Sequence, residues 1–247
     1  MRDPFPQNVI NWLQHFELIL FPSYCQLCSA FLESPRERII CHDCWRHIKP
    51  EKAAFCLSCG RFFDGLQEPH LCASCLQEKP PFSVHRSCGR YRGKLKDIVL
   101  LCKFHNLPIL ADGIARFAFD RFKKDEALWW GIDAIIPVPL HPKRRRTRGY
   151  NHAQLIAKKL AELAGIEMLD QQLVKVKNVP PQMSLAVVDR FKSVKGAFSV
   201  RNEESIREKV LLLVDDVYTT GATVRECSSV LIGAGARDVR ALTVAQA

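Results

Sequence analysis

The 247-residue sequence has no uninterrupted apolar run near the ~20 residues that a membrane-spanning helix needs. Its longest candidate, Val9 to Phe21, is broken by Gln14, His15 and Glu17. Val9, Trp12/Leu13, Phe16 and Leu20 recur at helical spacing, which predicts a packing helix over residues 1–22, with an interfacial anchor as the alternative. The basic start, continuous apolar core and small-residue cleavage site of a secretory signal are missing, so a cytoplasmic protein is expected. No Gly-Lys-Ser/Thr follows a glycine-rich loop, which excludes a Walker phosphate loop, and the Gly-x-Gly-x-x-Gly of dinucleotide-binding folds is absent. What remains is an ordinary globular mixture, 47% hydrophobic and 25% charged.

The net charge of +10 is unevenly distributed. Residues 1–85 carry 8 Lys/Arg against 9 Asp/Glu, whereas residues 86–247 carry 28 against 17. Attraction for polyphosphate or nucleic acid therefore belongs to the C-terminal part, against the alternative of a solvated basic surface.

Cysteine is abundant and patterned. Eight of the eleven cysteines form four Cys-x-x-Cys pairs, Cys25/Cys28, Cys41/Cys44, Cys56/Cys59 and Cys72/Cys75, and 12 residues separate Cys28 from Cys41 as they do Cys59 from Cys72. Two thiolates two residues apart can face one ion, and two such knuckles complete a tetrahedral zinc site with no position open for catalysis. A disulfide framework fits poorly with a reducing compartment. The equal spacings point to two consecutive four-cysteine ribbons within residues 23–80, and a cross-braced pairing uses the same residues. Each such centre would hold about two net negative charges, which suits a scaffold or protein-contact module better than a DNA grip. Cys88, Cys102 and Cys227 have no partner at ligand spacing and are expected to pack in the core.

A linker near Lys79-Pro80-Pro81 leads into residues 86–247, where strand and helix signals alternate. Two helices are expected over 93–123, a strand over 133–139, a basic loop, a helix from about Tyr150 to Ala164 stopped by Gly165, a strand over 173–176 and a helix over 184–194. Val210 to Val214 is an unbroken aliphatic run, as expected of a central parallel strand, followed by a helix over 220–231 and a last strand over 239–244. The alternation predicts an α/β fold, a parallel sheet flanked by helices, with ligands at the carboxyl ends of the strands.

The sequence Val210-Leu-Leu-Leu-Val-Asp215-Asp216-Val-Tyr-Thr219-Thr220-Gly221-Ala222-Thr223 places two carboxylates at such an end. The small and hydroxyl residues that follow open a helix, so backbone N–H groups and the helix dipole form an anion cradle. Thr219, Thr220 and Thr223 add hydroxyls, Gly221 and Ala222 allow close approach, and Asp215 and Asp216 suit vicinal hydroxyls. A phosphate beside a diol is a ribose 5-phosphate. The segment resembles the thirteen-residue phosphoribosyl pyrophosphate motif of type I phosphoribosyltransferases. Lys143 to Arg148 then offers five cations in six positions for pyrophosphate oxygens or a nucleic acid backbone, with Tyr150 as a stacking platform, against a solvated basic loop as the alternative.

Nearly the whole chain resembles the ComF family, also called amidophosphoribosyltransferase-like. The resemblance runs from the paired cysteines through Ile136-Pro-Val-Pro-Leu140, Arg148-Gly-Tyr-Asn151 and Pro181-Gln182 to the end. It implies a double zinc ribbon fused to a type I phosphoribosyltransferase fold, needed for natural transformation and acting on internalised single-stranded DNA in the cytoplasm. Among Lys143, Arg144, Arg148 and Tyr150, the resemblance singles out Arg144 and Arg148. The chain departs from the family at Lys175 or Lys177, where Arg is frequent, at His152, where Gln is, and at Ser193, where Asn is usual. Three readings follow. A transferase or hydrolase would act on phosphoribosyl pyrophosphate with Mg2+, in nucleotide salvage or related metabolism, using Asp215 and Asp216 as catalytic residues. A DNA-uptake protein would bind the same metabolite or single-stranded DNA without turnover. An adaptor would dock uptake or recombination proteins through its ribbons.

Overall fold

The computed structural model describes residues 23–32, 39–48, 51–65, 68–104, 107–179 and 187–247. The helix expected over 1–22, the Pro180-Pro181 pair and Gln182 lie outside them. Two compact units divide the chain, residues 1–49 and 50–247.

In the first unit, Cys25 N–H donates to the Ala30 carbonyl at 2.8 Å and Leu32 N–H to that of Ser23 at 2.9 Å, closing a knuckle whose two arms bridge at Tyr24 and Phe31. A short helix, α1 (His42–Arg46), starts at Cys41, whose backbone is extended and whose Sγ accepts the Cys44 N–H. Leu32 and Ile40 are buried beside this knuckle–helix pair.

The second unit repeats the design with a knuckle over 56–61 and helix α2 (Ala73–Gln77), then builds a five-stranded sheet. Its strands are β1 (Val84–Arg90), β2 (Ala134–Pro137), β3 (Glu167–Met168), β6 (Val210–Tyr218) and β7 (Asp238–Gln246), in the order β1-β7-β6-β2-β3 and parallel throughout. The aliphatic run of β6 lies between β2 and β7, with Ile136 opposite Leu213 and Asp215 opposite Thr243. Leu211 and Leu213 share a core with Val224, Cys227 and Leu231 of helix α9 (Ala222–Gly233). By strand alternation Leu212 and Val214 turn to the other face, and all four are buried, so the sheet is covered on both sides. Helix α7 (His152–Ala164) packs on β2 and β6 and against α4 (Leu110–Phe122), which follows α3 (Gly93–Phe104) and precedes α5 (Glu126–Trp129). A separate antiparallel pair, β4 (Leu173–Lys175) and β5 (Phe198–Val200), flanks helix α8 (Val187–Val194) in the chain. The four cysteines of the second knuckle pair are part of the same core as Phe82, Leu213 and Tyr218. Cys88, Cys102 and Cys227 are buried, as their isolation suggested.

One expected loop is a helix. Residues 142–148 form α6 (Pro142–Arg148) where the sequence suggested an irregular basic segment. Charge density obscured sound helix signals: Pro142 sits at the first position, where its missing N–H costs nothing, and His141 Nδ1 accepts the Lys143 N–H at 3.3 Å. Lys and Arg are good helix formers, and Gly149 ends the turn at φ 81°. The helix expected from Thr220 begins at Ala222, because Gly221 at φ 79° occupies the N-cap.

Candidate phosphoribosyl site and zinc centres

The carboxyl ends of β2 and β6 open into a cavity of about 440 Å³ whose lining includes Asp215, Asp216, Thr219 and Thr223 together with Arg144 and Arg148. The strand changes character at its end: Val210 to Val214 are buried, whereas Asp215, Asp216 and Val217 are half-buried. Thr219 is exposed and Gly221 and Ala222 are buried, with the first turn of α9 behind them. The cradle is tightly built. A Cβ on Gly221 would collide with the Tyr218 phenol, and Thr220 Oγ1 accepts the Ala222 N–H at 3.4 Å. Of the residues singled out beforehand, Lys143, Tyr150, Thr220, Gly221 and Ala222 do not line this cavity, and Thr220 and Ala222 instead border a second one of about 830 Å³ that Thr219 also reaches. Tyr150 donates its hydroxyl to the Cys102 carbonyl at 2.7 Å and sets its ring edgewise on His152.

The two carboxylates differ. Asp216 pairs with Lys103 Nζ at 2.9 Å, both side chains being less than a fifth exposed. Asp215 accepts the Asp216 N–H at 2.8 Å, and burial, then the like charge of Asp216, push its carboxyl up to about 7. Burial works against the Lys103 cation, yet the Asp216 carboxylate outweighs it and raises the ammonium pKa. In the same lining, burial and then Arg148 lower the Arg144 pKa, and its guanidinium donates to the Val179 carbonyl at 2.7 Å. Burial also depresses Lys175, whose Nζ lies 5.1 Å from the Phe198 ring centre. Carboxylates and cations lining one cavity suit a ligand that carries both a diol and phosphate.

Lys103 and the aromatic residues Tyr91 and Phe104 also line the cavity, and the sequence reading passed over all three. Phe104 is 57% exposed and lies under the Arg148 guanidinium, 5.2 Å from ring centre to Cζ. A signal for Lys103 was available, since it follows Val99 by four residues and so falls beside the apolar stripe of α3. His152 is buried at the start of α7; among the described residues its Nε2 has no hydrogen-bond partner, and burial depresses its pKa.

The cysteines gather as two consecutive sets, Cys25, Cys28, Cys41 and Cys44 in the first unit and Cys56, Cys59, Cys72 and Cys75 in the second, which excludes the cross-braced pairing. Within each set the Sγ atoms lie within 4.8 Å of one another, with Cys28–Cys41 and Cys59–Cys72 both at 3.7 Å. A tetrahedron of sulfurs each 2.3 Å from zinc has edges of about 3.8 Å. Backbone N–H groups aim at the sulfurs, Cys41 N–H at Cys25 Sγ (3.4 Å) and Cys72 N–H at Cys56 Sγ (3.3 Å). Against the cost of burial, such donors hold Cys25 down at about 6 and Cys56 at about 7, toward the thiolates that zinc binds. Geometry and chemistry both fit structural Zn2+.

Family models match the chain in two places, a double zinc ribbon domain over residues 18–76 and a phosphoribosyl transferase domain over residues 103–247. The chain is 31% identical over 213 residues to competence protein F of Haemophilus influenzae, covering 84% of this chain and 90% of that one. It is 30% identical over 227 residues to the DNA utilization protein YhgH of Salmonella typhimurium, covering 90% and 96%. Competence protein ComFC of Streptococcus pneumoniae shares 25% identity over 234 residues, covering 89% and 98%. With two four-cysteine ribbons, a parallel sheet ending in the acidic-hydroxyl loop, and relatives matched over most of their length, the chain belongs to the ComF family.

Proposed function

We propose that residues 215–223 bind phosphoribosyl pyrophosphate or a closely related sugar phosphate, and that the protein serves natural transformation by handling internalised single-stranded DNA in the cytoplasm. One observation carries the ligand assignment: β6 ends in paired carboxylates that line one cavity with Thr219, Thr223, Arg144 and Arg148. In this reading the cradle takes the 5-phosphate, Asp215 and Asp216 take the ribose hydroxyls, and the arginines take the pyrophosphate. The carboxylates are hard oxygen donors of the kind that accept magnesium, and the ion would enter on the pyrophosphate and neutralise part of its charge. The names of the relatives, competence protein F and DNA utilization protein, support the biological role. The excess of 28 Lys/Arg over 17 Asp/Glu in residues 86–247 supports an anionic partner.

Calorimetry with phosphoribosyl pyrophosphate and Mg2+ tests the ligand: the Asp215→Ala/Asp216→Ala variant should stay folded and lose the binding heat. Undiminished binding in that variant would defeat the assignment. Fluorescence anisotropy tests the DNA, whose affinity should fall steeply with salt. Transformation frequency in a host carrying the same double change, compared with a Cys72→Ser host, separates dependence on the sugar-phosphate site from dependence on the ribbon.

A turnover reading draws on the placement of Asp215 in the cavity beside Asp216, where burial and the like charge raise its carboxyl pKa to about 7 and let it take or give a proton at neutral pH. Release of pyrophosphate upon addition of a nucleobase would support it, and stable binding without release would favour the non-catalytic role.

A further inference from the structure

The second cysteine centre is joined to the phosphate cradle by an unbroken run of contacts. Its knuckle is stitched to the sheet: the His85 N–H donates to the Ser58 carbonyl at 2.7 Å, and the Phe62 N–H donates to Gln246 Oε1 at 3.3 Å. His85 is fully buried, and its Nδ1 lies 2.7 Å from the carbonyl oxygen of the metal ligand Cys59. A carbonyl only accepts, so Nδ1 carries the proton and Nε2 receives the Thr243 hydroxyl at 2.9 Å. The imidazole therefore has one orientation. Against it, at 4.2 Å between ring centres and 20° between planes, stacks Tyr218, the last residue of β6. The Tyr218 phenol in turn occupies the space where a side chain on Gly221 would stand. The packing has no slack at the knuckle end either, since a Cβ on Gly60 would lie 2.6 Å from the His85 carbonyl oxygen. Beyond the stack, Cys59, Cys72 and Cys75 border the same cavity of about 830 Å³ as Thr219 and Thr220.

We infer that the metal held by Cys56, Cys59, Cys72 and Cys75 sets the shape of the phosphate cradle, with His85 and Tyr218 as the positioning residues between them. This rests on the reading that residues 215–223 bind a phosphorylated pentose. With zinc on its Sγ, Cys59 would hold its carbonyl in place; that carbonyl orients the imidazole, and the imidazole backs the ring that roofs Gly221. Close-packed groups of this kind shift together rather than deform singly. Metal and sugar phosphate then bind with positive coupling, and the coupling is reciprocal: a filled cradle holds the second zinc more tightly.

The measurement is zinc release from the full-length, zinc-loaded protein to a chromophoric chelator, with and without phosphoribosyl pyrophosphate and Mg2+, and with calorimetry on the same samples. Inorganic pyrophosphate serves as the control for direct chelation. In the unchanged protein the metabolite should slow one of the two released zinc ions by about fivefold or more, the lower range of site-to-site coupling. Tyr218→Phe retains the stacked ring and should behave alike. Tyr218→Leu should still hold two zinc ions, lose the protection, and release one ion faster even without ligand. Binding heat together with unchanged release rates would overturn the coupling while leaving the ligand assignment intact. Absence of binding heat would defeat the ligand assignment; the unliganded release rates then decide the coupling, which fails if Tyr218→Leu matches Tyr218→Phe.

Discussion

Lys103→Met tests the electrostatics of the site most sharply. The ammonium stands 2.9 Å from Asp216, with both side chains less than a fifth exposed. At an effective dielectric constant of about 20, opposite charges at that distance attract by about 6 kcal/mol. Part of this is offset by the cost of desolvating the lysine, which methionine does not incur, so the net loss should be about 3 to 5 kcal/mol, as when one partner of a buried pair is removed. For a compact unit of this size the melting temperature should fall by about 10 °C. The loss should be larger at pH 8 than at pH 5. With the cation gone the paired carboxylates repel one another, and they escape by taking up a proton, which lower pH supplies. Denaturant titrations of Lys103→Met, Asp216→Asn and the double variant at both pH values complete the cycle, and the double variant should recover most of the loss. A cost below about 1 kcal/mol for Lys103→Met, equal at the two pH values, would refute the reasoning.

Three further outcomes are expected. Asp215 titrates at about 7 in the folded chain against an ordinary value of 3.8, so between those values the native state binds more protons than the unfolded one. Its contribution to stability is present below about pH 4 and lost as pH rises through about 7; Asp215→Asn should flatten the melting-temperature profile over that window. Gly221→Ala places a Cβ against the Tyr218 phenol at a left-handed φ of 79°, and should cost at least about 1 to 2 kcal/mol in denaturant titration while weakening the sugar phosphate in calorimetry. Arg144→Ala with Arg148→Ala should lower the slope of log affinity for single-stranded DNA against log salt by about 2 if both residues meet phosphates, whereas an unchanged slope would confine them to the metabolite.

The parts legible in the sequence were those encoded locally. The Cys-x-x-Cys spacings carry their chemistry within four residues, and the Asp215–Thr223 loop carries strand, carboxylates and cradle in one continuous segment. Lys103 was missed because its partner lies 113 positions away and only the sheet brings them together. Tyr218 sat inside the recognised segment without an assigned role, since stacking on His85 depends on β1 and β6 being separated only by β7. The α6 helix was hidden because run-on positive charge suggests a solvated loop, while its proline, histidine cap and terminal glycine are individually modest signals. The two cysteine ribbons read as one repeated module, yet residues 56–75 share the sheet's core and the compact unit begins at residue 50. Ligand spacing reports which atoms meet a metal, and it carries no information about which apolar surface the knuckle covers.

The central claim is settled by a crystal of the zinc-loaded protein soaked with phosphoribosyl pyrophosphate and Mg2+. The 5-phosphate should rest on the amides and hydroxyls of Thr219 to Thr223, with Asp215 and Asp216 on the ribose hydroxyls. Electron density for the metabolite elsewhere on the molecule, with that loop bare, would contradict it.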